Sequence, residues 1–171
     1  MSRKPGSMYR EIKGQAYARR EYMGGVPSSR ITQFEHGNKA DYPVRLTLHV
    51  VEQCQIRHIA LEAARISANR FLAKKIGATG YHLKIRVFPH NVIRENKIAT
   101  GAGADRISDG MRHAFGKPIG TAARVSRDQE IISLETTQPH FNTAKLALKR
   151  AAIKLPSPCY IEIERGNPSA T

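Results

Sequence analysis

Glycines and cations interleave between Asn96 and Gly120, in the run NKIATGAGADRISDGMRHAFGKPIG. The glycines are Gly101, Gly103, Gly110, Gly116 and Gly120; the cations are Lys97, Arg106, Arg112 and Lys117. Glycine forfeits backbone entropy inside a helix or strand. The run therefore predicts a long loop, residues 96–120, projecting from a packed domain. Backbone without a Cβ lets a ligand come close, and cations beside it select a polyanion. The chemistry this spacing supports is contact with phosphate.

Bond-making chemistry finds little support. Gly101-Ala102-Gly103 begins like a dinucleotide loop, but Arg106 stands where G-x-G-x-x-G needs glycine. Gly116-Lys117-Pro118 places proline where a P-loop has Ser or Thr. Asp105 and Asp109 are four apart and leave two readings open: pairing with Arg106 and Arg112, or magnesium at an RNA surface. A catalytic carboxylate pair is the weaker reading. Cys54 and His58 would share a helix face at i+4, yet two ligands make no zinc site; the plainer expectation is a packed thiol and a surface imidazole. His49, His82, His90, His113 and His140 are scattered, with no nucleophile or orienting partner in view.

Around the loop, the remaining elements can be read in order. Residues 1–30 form a basic arm studded with Tyr9, Tyr17 and Tyr22 and without apolar periodicity. Such an arm does not fold alone, and rings among cations suit unpaired bases and phosphates. Gly24-Gly25-Val26-Pro27 is a turn that closes it. A domain over 31–165 and a flexible tail over 166–171 follow. Ile31 to Phe34 suggests a short strand. Val44, Leu46, Leu48 and Val50 alternate with polar residues, as a half-buried strand does. Gln55 to Ile76 predicts the strongest helix. Ile59, Ala60, Ala63, Ala64, Phe71 and Leu72 make its inner face, and Arg57, Arg65, Arg70 and Lys74 its polar face. Gly77 is the expected stop. Tyr81 to Phe88 alternates again, Ala122 to Val125 and Glu130 to Glu135 flank a turn, and Asn142 or Thr143 to Leu155 predicts a second basic helix. Tyr160 to Glu164 is a last strand. Strands and helices mix without strict alternation, which favours an α+β fold with a mixed, largely antiparallel sheet and two main helices.

The 171 residues carry 28 Lys and Arg against 14 Asp and Glu, a formal charge of +14, spread along the whole chain. That excess is the footprint of a nucleic-acid binder. Two cysteines far apart make no disulfide framework, so a reducing compartment is expected. No apolar run is long enough to span a bilayer, and the polar start lacks a secretory h-region.

At the loop the pattern becomes specific. Ala102-Gly103-Ala104-Asp105-Arg106, Gly110-Met111-Arg112 and Ala114-Phe115-Gly116-Lys117-Pro118 resemble the signature of a large-subunit ribosomal protein family. It is the archaeal and eukaryotic L-ten-e family, counterpart of bacterial L-sixteen. Leu61 to Ile66 followed by Ala68-Asn69 resembles the family's first helix, and Gly25-Val26-Pro27 behind a basic arm resembles its N-terminus. The similarity runs from Arg3 to Glu164, and the length is similar to archaeal members. One departure is Phe88-Pro89-His90-Asn91, where the family often has His-Pro-Phe-His.

The resemblance implies a structural constituent of the large ribosomal subunit, not an enzyme, in the cytoplasm and working in translation. It implies a hammerhead-like α+β fold. The implied partners are large-subunit rRNA near the peptidyl-transferase centre and 5S rRNA, tRNA and neighbouring ribosomal proteins, with no membrane. No cofactor is implied, magnesium entering only through rRNA. The central loop would point at P-site tRNA through Gly101, Gly103, Asp105, Arg106, Gly110 and Arg112. The RNA-binding residues expected are Arg3, Lys4, Tyr9, Arg10, Lys13, Tyr17, Arg19, Arg20, Arg65, Arg70, Lys74, Lys84, Arg86, Arg94, Lys97, Lys117 and Arg124. The alternatives are a free RNA-modifying or tRNA-processing enzyme, which would need a cofactor loop or metal set, and a chaperone binding many RNAs alike.

Overall fold

A computed structural model describes residues 7–166. Arg3, Lys4 and the tail 167–171 lie outside the described residues. Eight strands form two sheets: β1 (Glu35–Gly37), β2 (Val44–Val50), β3 (Cys54–Arg57), β4 (Tyr81–Ile85), β5 (Asn91–Glu95), β6 (Lys117–Val125), β7 (Glu130–Thr136) and β8 (Cys159–Arg165). The larger sheet has the order β1-β4-β7-β2-β8, and a three-stranded sheet has the order β3-β6-β5. Besides a single turn, α1 (Ser7–Arg10), there are two main helices, α2 (His58–Lys75) and α3 (Phe141–Ala152). The fold is α+β. Every strand pairing among the described residues is antiparallel, so the sheet is not mixed.

One core joins the layers. Leu46 and Leu48 of β2, Leu83 of β4 and Ile132 and Leu134 of β7 meet Leu61, Ala64, Ala68 and Leu72 of α2 and Ala144, Ala147, Leu148 and Ala151 of α3. Burying each leucine or isoleucine is worth about 1.5–3 kcal/mol relative to exposure. Alanines along both helices let them approach closely. The smaller sheet adds Cys54, Ile56, Ala123 and Val125 to the same core.

The structure corrects several boundaries. The first strand is Glu35–Gly37, not Ile31–Phe34, because it forms where β4 can pair with it. Gly37 has φ +86°, and a Cβ there would strike the Tyr81 carbonyl. The long helix begins at His58. Residues 54–57 instead make a strand, with Cys54 and Ile56 buried and Gln55 and Arg57 half-exposed, because β6 supplies hydrogen bonds on that side. Cys54 and His58 therefore share no helix face. His58 is buried rather than a surface imidazole. The α2 face is rotated too: Leu61, Ala64, Ala68 and Leu72 are buried, whereas Ile59, Ala60, Ala63 and Phe71 are only half-buried. Arg65 leaves the polar face and is 8% exposed.

The glycine-rich stretch is shorter than the sequence suggests. Lys117 to Gly120 belong to β6 and pair back onto β5. The connection is residues 96–116, closing an antiparallel hairpin. Gly77, with φ +86°, follows α2 as expected. Asp128, with φ 59°, sits in the β6–β7 turn, a conformation aspartate tolerates.

Candidate nucleic-acid interface

The arm lies on the three-stranded sheet and is stitched to it. Asn91, buried at the start of β5, accepts the Tyr17 N–H at 2.8 Å and donates to Gln55 at 2.5 Å. The Val92 N–H donates to the Tyr17 carbonyl at 2.8 Å. Gln55 in turn donates to the Glu11 carbonyl at 2.6 Å. Arg124 of β6 donates to the Gly14 and Gln15 carbonyls, both at 2.8 Å. Backbone that cannot form a ladder of its own is thus satisfied by polar side chains of β3, β5 and β6.

The tyrosines of the arm face arginines of the sheet. Arg57 lies 4.5 Å over the Tyr9 ring, whose hydroxyl donates to Glu95 at 3.1 Å. Arg94 sits 4.2 Å from the Tyr17 ring and 4.1 Å from the Phe115 ring. Tyr17 and Phe115 meet edge to face at 6.3 Å. Arg94 therefore latches the arm to the returning end of the loop. Tyr9 and Tyr17, expected to offer their rings to bases, already present one face to a cation.

The loop hangs from the end of this hairpin. Gly103, with φ 81°, caps a single 3-10 turn, Ala104–Arg106. Gly110 donates its N–H to Ser108 and accepts from Asn96 at 3.2 Å, which draws the two sides of the loop together. Gly101 also has positive φ, so the loop uses its glycines for backbone no other residue adopts cheaply. Gly116 closes the base. A Cβ there would lie 2.8 Å from the Glu95 nitrogen. Lys97, Asp105, Arg106, Arg112 and Lys117 are exposed, as are Ile98 (59%), Ile107 (67%), Met111 (71%) and Phe115 (69%). That density of exposed apolar side chains beside cations fits a surface that another macromolecule covers.

The other expected contacts fall into separate groups. Arg10 pairs with Glu52, and Lys13 with Glu11 at 3.2 Å. Arg19 and Arg20 are exposed at a short turn before Met23. Lys84 pairs with Glu35 at 2.5 Å, and Arg86 with Glu130 at 3.3 Å, on the outer face of the larger sheet. Lys39 and Lys84 together hold the Glu35 carboxyl down to about 2. Arg65 is committed inside the protein: it donates to both Glu62 oxygens, at 2.6 and 2.8 Å, and to His36 at 2.6 Å. Hydrogen bonding from Arg65 lowers the Glu62 pKa, and burial lowers that of His36. Arg70 and Lys74 are exposed on α2, near Arg150 and Lys154 from the end of α3 and the turn after it.

Arg57, Asn91, Gln55 and Phe115 are organising residues that sequence reasoning did not assign. Alternation of Cys54 and Ile56 with Gln55 and Arg57 could have revealed β3. Nothing local marks the roles of Asn91 and Phe115, which depend on an arm docked from far away in the chain. His58 belongs here as well. It accepts the Arg30 N–H at 3.0 Å on Nδ1, where the arm enters the domain, and its other nitrogen faces Gly120 of β6. Burial lowers its pKa.

No group of His, Cys, Asp and Glu among the described residues is placed to hold a metal. No helix among them is long and apolar enough to cross a membrane.

Comparison with known proteins points in one direction. Residues 12–162 match the family described as "Ribosomal protein L16p/L10e". The chain is 59% identical over 166 residues to the large ribosomal subunit protein uL16 of Methanoculleus marisnigri, covering 96% of this chain and 98% of that one. It is 56% identical to uL16 of Methanocella arvoryzae, covering 97% of each. It is 52% identical to uL16 of Archaeoglobus fulgidus, covering 98% of this chain and 96% of the relative.

Proposed function

The chain belongs to the ribosomal protein L16p/L10e family, and from that membership we propose how its surface meets RNA. It is an archaeal-type structural protein of the large ribosomal subunit, works in translation, and is not an enzyme. As a ribosomal protein it resides with rRNA and other ribosomal proteins in the cytoplasm. Our finer reading is that the three-stranded sheet, the docked arm and the 96–116 loop form one RNA-facing surface. In it the arm and sheet contact large-subunit rRNA near the peptidyl-transferase centre and 5S rRNA. The loop tip is directed at P-site tRNA.

One observation supports this most: the loop extends from a latched hairpin and exposes Arg106 and Arg112 beside Ile107 and Met111. Arginines at such a tip neutralise phosphates and stack on unpaired bases, and apolar neighbours cover sugar or base faces. Glycines with positive φ let backbone approach the RNA closely. The hairpin and the Arg94 latch fix where the tip points. Arg19 and Arg20, exposed on the arm, would meet rRNA phosphates, and Asp105 would sit beside Arg106 in the loop as an acceptor. Arg3 and Lys4 are proposed to contact rRNA as well.

The test is sedimentation of tagged protein from cells, with Arg106→Ala and Arg112→Ala alongside. Wild type should ride stoichiometrically with large subunits through a moderate salt wash. The variants should assemble and yet bind P-site tRNA more weakly. Unchanged tRNA affinity in subunits carrying both substitutions would sink the tRNA reading. A wild-type chain remaining at the top of the gradient would sink the ribosomal placement.

A further inference from the structure

Several α2 side chains that periodicity assigns to the core reach only its edge. Ile59, Ala60, Ala63 and Phe71 are half-buried, and Ile66 is 41% exposed. With Leu155 they floor one continuous groove between α2 and the end of α3; its two halves share Ala63 and Lys154. The rim carries Arg57, Arg70, Lys74, Arg150 and Lys154, and no carboxylate lines either half. Arg70, Lys74 and Lys154 make no ion pair among the described residues. Arg150 lies 4.0 Å over the Phe71 ring.

We propose that this groove docks an acidic amphipathic helix of a protein partner. RNA would use the rim but not the floor. A projecting tip can lay Ile107 and Met111 on a sugar or base, but this floor is recessed between two helices, and its one ring is already covered by Arg150. A helix with an apolar stripe flanked by carboxylates uses both features at once. The small side chains of Ala60, Ala63 and Ser67 keep the floor concave. From Ile59 to Lys74 the groove runs about 22 Å, the length of roughly four helical turns. Charge complementarity speeds encounter and orients the partner, while the floor supplies affinity. The proposal reassigns Arg70 and Lys74 from RNA to protein and does not depend on the reading of the loop.

The test uses the full chain and a fluorescein-labelled helical peptide of about 18 residues. It carries leucine at i, i+4, i+7 and i+11 and is otherwise mostly glutamate. The control peptide has the same composition with its leucines scattered. Anisotropy at about 0.15 M salt should show the striped peptide binding roughly tenfold tighter than the scattered one, because only the first can bury the floor. Ile66→Asp, at an exposed position, should remove that difference and leave affinity for a single-stranded RNA unchanged. Amide shifts of the wild-type chain on adding striped peptide should map to 59–74 and 150–155. Equal affinity for the two peptides, amide shifts elsewhere, or RNA affinity that falls with Ile66→Asp would overturn the proposal; the last would make RNA the occupant.

Discussion

Arg94 and Arg65 show how similar side chains acquire different work. Arg94 is held between Tyr17 and Phe115, so it joins the arm to the loop. Each exposed cation–π contact is worth about 0.5–1 kcal/mol. Arg94→Ala should therefore cost roughly 1–2 kcal/mol of arm docking, seen as faster exchange of the Val92 amide with little change in global unfolding. Arg65 instead satisfies a carboxylate within the fold, its side chain 10% exposed and that of Glu62 14%. Arg65→Ala should destabilise the domain by about 2 kcal/mol, because the Glu62 charge is left half-desolvated; urea unfolding measures this. His58 and His36 make stability depend on pH. Their folded pKa values lie below the ordinary histidine value, so near pH 6.5 and below the unfolded chain binds more protons than the folded one. Stability is full above that value and is lost as pH falls through the folded pKa values. Urea midpoints measured from pH 7.5 to 5 should fall, and His58→Gln should flatten the decline.

Among the elements, the β5–β6 hairpin matters most, since it carries the loop. Its base tolerates no side chain at Gly116, where a Cβ would press on Glu95 backbone. Gly116→Ala should open the last rungs of the ladder and cost about 1–3 kcal/mol, with the Arg94 and Glu95 amides losing protection first. Gly103→Ala differs. Space around it is open, but φ +81° is strained for any Cβ, so the cost is local, about 1–2 kcal/mol. Circular dichroism and thermal unfolding should barely notice it, while loop amide shifts move. The boundaries misread in the sequence cluster at such elements. Residues 54–57 alternate like a strand, but over only four positions that run straight into α2, and pairing with β6 decides their state. Lys117 to Gly120 look like loop because glycine and proline dominate, yet β5 supplies their ladder.

At the scale of the molecule, charge is divided between surfaces. The outer face of the larger sheet spends its cations on carboxylates: Arg45 on Glu164, Lys84 on Glu35, Arg86 on Glu130. The loop and the α2–α3 rim keep theirs exposed. Binding to tRNA should therefore depend steeply on salt. Each phosphate neutralised adds about 0.7–0.9 to the slope of log K against log salt. Replacing Arg106 and Arg112 together should lower that slope by roughly 1.5, whereas replacing Lys84 and Arg86 should leave it nearly unchanged. Equal effects from both pairs, in filter binding between about 0.05 and 0.2 M salt, would contradict the division.

Sequence alone determined the class of this protein. Strand alternation at Val44–Val50, the glycines with their cations, and the net charge are local or additive properties, and they survive without knowledge of contacts. The motif around Asp105 and Arg112 carried the family for the same reason: it is contiguous. Tertiary structure decided the rest, because a cation's role depends on its neighbours in space. Arg65, Arg86 and Arg106 are alike in the chain; Glu62 and Glu130 turn the first two inward or sideways, and open solvent leaves the third for a partner. The face of α2 was decided in the same way. A helix with alanine on most sides can rotate by a position at little cost, and packing against Leu148 and Leu134 chose which of its apolar side chains to bury.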